Sequence, residues 1–419
     1  MSSHPIYLGY YNSPWPAEDA GPTRLQNWAG FGWLPNTRLN LTHRRSQLST
    51  MVVLGDPGEV FLLTHTALRA KFGMPTTARV EQIDPLTLKT IRQSPRLPGG
   101  PMWPGGLAVL ATGNILVVYG RHAHLLNRQL QVIAHRELML NEPHNSFVVL
   151  DNGWIVTKNL SQTTNACLQV LHPDNLAPVC PPIQCLEPSI ARLGATGNTV
   201  YVVGMQHLYR YILNQEAQGL SLDKDWIPDY MGNSRNSFGW DMVLDGHSAW
   251  LMDNGHHRYL YTMVGAGVSP TANRLVRVSL NDPQQVWRSE VSGLIGGSVT
   301  NPPLVSPLHR VVLAYDSANK VLKAWRFHVD TQTEPSLLWS KSGFACASHM
   351  VLMDRSGVVW INDYQWFTES VVALDLQSGQ ELARIKTPGH MQGVVFPCPG
   401  WNRDIYWVSM DQVCRVALG

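Results

Sequence analysis

HMVLMDRSGVVWINDY (349–364) and, a few residues on, VVALDLQSGQELARI (371–385) decide the fold. Each has an apolar run, a short turn of Asp, Ser, Gly or Gln, and a second run. Such turn residues tolerate the positive φ of a tight hairpin, and alternation in the flanking runs suits half-buried strands. Two hairpins in succession make a four-stranded unit. The first hairpin recurs along the chain: MVVLGDPGEVFLLTH (51–65), LAVLATGNILVVYG (107–120), FVVLDNGWIVTKN (147–159), IARLGATGNTVYVVG (190–204) and DMVLDGHSAWLMDNG (241–255). PLVSPLHRVVLAYD (303–316) and GVVFPCPGWNRDIYWVSMD (393–411) are looser copies. Their starts lie about 49 residues apart on average, a blade-sized period. We therefore expect an all-β chain forming a single β-propeller of about eight blades, with seven as the alternative. Residues 50–419 make the propeller, and 1–49 supply a cap and a strand that closes the ring. IYLGYY (6–11) is the candidate closing strand, because closure removes exposed edges.

Composition agrees with this and excludes several functions. Of 419 residues, 44% are hydrophobic and 15% charged, as suits buried strands, and 34 Gly with 28 Pro supply turns. The net charge is +2 with no Lys/Arg run, so no nucleic-acid partner is expected. No apolar stretch reaches the length of a membrane span, and no leader pattern opens the chain, so a cytoplasmic protein without a membrane partner is expected. The six cysteines form no C-x-x-C pair, which points to buried thiols rather than a zinc knuckle or a redox motif.

Two family resemblances follow from particular residues. ALDLQSGQELARI (373–385) resembles the repeat of quinoprotein-dehydrogenase-like propellers, and SPWPAEDAGPTRLQN (13–27) resembles the segment that often opens such domains, which together imply about eight blades. The adjacent cysteines of that family's PQQ-dependent members are missing, so PQQ is not expected. FGWDMVLDGHSAWLMDNGHHRYLYTMVGAGVSPTANRLVRVSL (238–280) resembles a stretch of bacterial arylsulfotransferases through Asp241, Asp253, Asn254, Gly255, Arg258 and Arg274. Trp240 stands where that family has a histidine. This resemblance implies a nucleophilic imidazole with cationic groups around a sulfuryl ester.

In a propeller, residues just before each inner strand and just after each second strand open on one face. Counting back from the turns places His144, His349 and His390 at one mouth, with Glu142 and Asp241. These five are the candidate catalytic groups, since imidazoles and carboxylates serve acid–base chemistry. Three imidazoles also suffice to hold a divalent metal. The candidate substrate-binding residues are Trp103, Arg121, Asn145, Arg235, Trp240, Asp253, Arg258, Asn301, Tyr364 and Trp366. The expected function is an enzyme acting on a small apolar or aromatic molecule, as a lyase, cyclase, hydrolase or group transferase, with metal assistance as an option. A protein-binding scaffold and an arylsulfotransferase-like transferase are the alternatives.

Overall fold

The computed structural model describes residues 6–100, 105–144, 146–214, 219–258, 266–389 and 396–419. The chain is all-β: among the described residues there is no α-helix, only short 3-10 turns at Glu18–Ala20 and Ala67–Phe72. No helix among the described residues is long and apolar enough to cross a membrane.

Eight four-stranded antiparallel units carry the fold. They occupy 49–93, 106–137, 146–189, 194–222, 243–290, 304–342, 351–386 and 398–418. All eight hairpins expected from the repeat therefore open a sheet. The first strand of each sheet lies at the sheet edge, except in the seventh, where Asn27–Trp28 pairs parallel with Leu352 and Met353, and Gly194–Thr196 packs against both Ser146–Val149 and Val243–Leu244. Ser49–Leu54 meets Gly106–Val109 on one side, and Cys398–Pro399 and Asp404–Ser409 on the other, so the first sheet touches both the second and the eighth. Apolar clusters fill the space between successive sheets, with Trp250, Trp360 and Trp407 fully buried among them.

The eighth sheet has only three strands from its own repeat. Its fourth is Leu39–Arg45, which pairs antiparallel with Gln412–Leu418 from Leu39↔Leu418 to Arg45↔Gln412. An N-terminal strand does lie there, but it is not 6–11. Those residues are held elsewhere: Tyr11 N–H donates to Val109 O at 3.0 Å, and Tyr10 Oη accepts from Val149 N–H at 2.9 Å.

The segment from Tyr10 to Trp28 is built into the sheets. It crosses the first strands of seven sheets and bonds to each strand or its flank. Leu54, Val109, Ala195 and Leu244 donate N–H to the carbonyls of Trp15, Pro16, Pro22 and Thr23 at 2.8–2.9 Å. Gln26 Nε2 donates to Pro303 O, and Gln26 Oε1 accepts from Met350 N–H. Leu352 and Asp354 donate to the carbonyls of Gln26 and Trp28. No regular strand could meet acceptors and donors that turn from sheet to sheet. Accordingly Asp19, Ala20, Arg24 and Gln26 all take positive φ, 53–70°, costing roughly 1–2 kcal/mol each for L-residues.

Trp15, fully buried against the first, seventh and eighth sheets, anchors this segment. Trp15→Ala should lower unfolding free energy by about 3–5 kcal/mol in urea titrations while the far-ultraviolet β signal persists below the midpoint.

Candidate functional site

The residues two positions before three inner strands meet the N-terminal segment at one level. Arg192 precedes Gly194–Thr196, Asp241 precedes Val243–Leu244, and His349 precedes Val351–Met353. Glu18, Asp19 and Arg24 face them. His349 Nδ1 lies 2.9 and 3.0 Å from the two Asp19 carboxylate oxygens and donates its proton there. Asp241 Oδ1 accepts the Arg192 N–H at 2.6 Å, and Oδ2 lies 3.6 Å from Arg192 Nη1. Arg24 Nη1 pairs with Glu18 and, at 3.2 Å, with Asp19; its Nε donates to Leu193 O at 3.0 Å. Phe396 packs on the His349 ring at 4.0 Å between centroids, and the Arg192 guanidinium lies 4.5 Å above Phe396.

Every one of these groups is buried except for a slight exposure of Glu18. Burial alone would push the Asp241 carboxyl up, but Arg24, Arg192 and His349 together hold it below the usual carboxylate range. Burial would likewise discharge Arg24; Glu18, Asp241 and Asp19 overcome it and raise its pKa. Beside the cluster, Tyr10, Glu18, Gly21 and Arg24 line a cavity of about 10 Å³, room for one water. Lys158 is also fully buried, its Nζ donating to the carbonyls of Asn159 and Ser189 at 3.3 and 3.2 Å. Burial brings its pKa down to about 7.

Of the candidate catalytic residues, His349 and Asp241 come together. His144 does not join them. Its Nδ1 bonds to Glu142 O at 2.8 Å and its Nε2 lies 3.2 Å from Gln169 Nε2, so both nitrogens are used, and burial lowers its pKa to about 4. It is a neutral structural imidazole, which removes it from a three-histidine metal set. The Glu142 carboxylate accepts from Asn159 at 2.6 Å instead of orienting a histidine. His390, Trp103 and Asn145 lie outside the described residues.

The substrate-binding candidates scatter. Trp240 is buried, with Nε1 donating to Gly255 O at 3.0 Å. Counted back from the turn residues Asp245 and Asp354, Trp240 and His349 stand at the same distance of five residues. The buried pairs Val243↔Trp250 and Val351↔Trp360 instead match Asp241 with His349, and a one-residue slip sends Trp240 to the opposite face. Asp253 is tied to Arg274 Nε at 2.6 Å and to Asn236 at 2.9 Å, an internal clamp. Asn301 donates to Ala347 O at 2.6 Å and is buried. Tyr364 is buried as well. Arg121 pairs with Glu137 at 2.9 Å on the second sheet. Arg235 and Arg258 are exposed, and Trp366 stands on a hairpin tip.

Repeat counting missed Glu18, Asp19, Arg24 and Arg192. The first three were visible as a charged triplet in an otherwise neutral, Pro- and Gly-rich stretch.

No protein-family model matches the chain, and no curated protein matches it. Solved structures do. The chain is similar to the Dos1 propeller, with a TM-score of 0.58 and 6% identity over 90% of this chain and 94% of that one. It is also similar to apo AztD from Citrobacter koseri, with a TM-score of 0.51 and 10% identity over 91% and 99%. At these identities the likeness shows the propeller fold and nothing of function.

The Lys158 amine gives a signed pH effect. Its folded pKa, about 7, lies below the unfolded value near 10.4, so between those values the unfolded chain binds more protons and stability rises with pH. Denaturant midpoints of wild type measured against Lys158→Met from pH 7 to 10 should diverge in favour of wild type as pH rises.

Proposed function

We propose that the chain is a non-enzymatic binding propeller. Its eight sheets act as eight blades of one ring, with Leu39–Arg45 closing it, and a protein partner docks on the rim of one face. The observation that carries this reading is the hairpin tip at Trp366 and Phe367, which are 90% and 60% exposed. The two residues form the whole loop between the paired residues Gln365 and Thr368, with φ of 49° and 57°. Asn-Gly ordinarily fills such a turn, and bulky side chains there are outliers. Leu294 and Ile295, 54% and 71% exposed, continue the ridge. Asn319 Nδ2 donates to both of their carbonyls, and the next residue, Lys320, donates to Gln365 beside the aromatic tip. A convex apolar ridge with a cation set in it suits a partner offering an apolar cleft with an acidic rim.

The sealed centre supports the same reading. Of the residues expected to act on a substrate, His349 is bonded to Asp19 of the protein's own N-terminal segment, Asp241 to Arg192, and His144 and Glu142 to Gln169 and Asn159. An acid–base enzyme remains a second reading on one observation: His349 and Asp241 do meet, and each keeps a buried polar atom without a hydrogen-bond partner among the described residues. The sulfotransferase-like version has less support, because Asp253, Asn254 and Arg274 are engaged in holding their own loops.

Two measurements test the docking ridge. Replacing Trp366 and Phe367 with Asn and Gly should raise folding stability, by up to about 1 kcal/mol, since it relieves two strained residues. A photoreactive amino acid at 367 should give discrete cross-linked species in extract that Trp366→Ser abolishes, whereas one at exposed Leu308, on an inner-to-second-strand turn, should not. The same products from both positions would sink the proposal.

A further inference from the structure

We infer that Glu18, Asp241 and His349 bind one divalent transition-metal ion, which locks the N-terminal segment into the centre of the propeller. One donor atom from each of the three lies within 4.8 Å of the other two. A tetrahedral site with bonds near 2.1 Å places its ligands about 3.4 Å apart, so modest side-chain rotation closes the set. Two further observations point to a ligand here. His349 Nε2 and Asp241 Oδ2 are fully buried and have no hydrogen-bond partner among the described residues. The cation nearest Asp241 Oδ2 in the ion pairs, Arg192, is at 3.6 Å, beyond hydrogen-bonding reach. A buried polar atom left alone costs free energy, and such orphans in folded proteins mark an ion or a water.

The imidazole is set up as a ligand. Asp19 takes the Nδ1 proton, which fixes the tautomer that leaves the Nε2 lone pair free, the usual outer-shell arrangement of metal-bound histidines. Charge also permits a cation. Glu18, Asp19 and Asp241 carry three negative charges against two on Arg24 and Arg192, so once His349 gives up its second proton to become a ligand one negative charge is in excess. An imidazole with two carboxylates suits zinc, manganese or ferrous iron. Glu18 belongs to the N-terminal segment, and the other two ligands directly precede the fifth and seventh sheets. Binding therefore joins what would otherwise be separate parts of the chain, and metal affinity becomes stability of the docked segment. This inference does not depend on the docking ridge.

The whole chain, purified after expression with zinc and manganese in the medium, should hold one equivalent of metal by elemental analysis. Chelation should lower the melting temperature, and zinc or manganese alone at ~100-fold over Kd should restore at least about 3 °C. Trypsin should cut at Arg24 only after chelation. Asp241→Asn and His349→Gln should abolish both metal content and melting response. His122→Ala/His135→Ala should abolish neither, which separates the centre from the exposed imidazole pair 3.0 Å apart on the second sheet. Metal below a tenth of an equivalent with no melting response overturns the inference, as does retention of metal by folded Asp241→Asn. If the site variants fail to fold, wild-type chelation and re-addition decide, and loss of the response in His122→Ala/His135→Ala counts against the site.

Discussion

The first strand of each repeat leaves a row of N–H and C=O groups with no strand of its own repeat on one side. Buried backbone polar groups must be paired, so something has to supply partners that change direction at every sheet. In this protein the partner is the chain's own segment from Tyr10 to Trp28. Its Pro and Gly content and its left-handed residues follow from that task. A regular strand can serve one edge, whereas this segment serves seven.

The segment brings charge with it, and charge sets the rest of the centre. Glu18, Asp19 and Arg24 lose water on entering, which is unfavourable unless each finds an opposite partner and hydrogen bonds. The partners are Arg192, Asp241 and His349, from equivalent places in three repeats. Equivalent positions of a repeat stand at one height, so a chain crossing that height meets all of them. Inward polar residues on the inner strands are therefore not by themselves a sign of a substrate. Here they answer charges far away in sequence, as His349 answers Asp19 across 330 residues.

The sheets were legible in the sequence because hairpin periodicity is local. Each pair of runs with its Asp, Asn or Gly turn carries its own evidence, and eight copies reinforce one another. The site was half legible. His349 and Asp241 could be placed near one face, but their exact alignment depends on turn length, and the fifth and seventh hairpins differ there by one residue: three residues separate Leu244 from Ser248, four separate Met353 from Val358. That difference put Trp240 in the place of Asp241. His144 has the right spacing and is nonetheless inert, because Gln169 and the Glu142 carbonyl take both nitrogens, and the contact with Gln169 comes from a strand the spacing says nothing about. The N-terminal segment has no period at all, and its partners are all distant, so neither its path nor its role could be read.

Backbone strain divides the molecule into two kinds of place. In the N-terminal segment, left-handed residues sit under hydrogen bonds from neighbouring sheets: Gln26 alone engages Asp19, Pro303, Met350 and Leu352. The cost of that conformation is offset inside the fold. At Trp366 and Phe367 the same conformation is held by larger side chains, and those side chains face water. Nothing gained within the folded chain requires them, since smaller residues would make the turn more easily. Strain that the fold itself does not repay is the kind that clusters at functional positions, and for that reason the docking ridge is proposed at this hairpin tip.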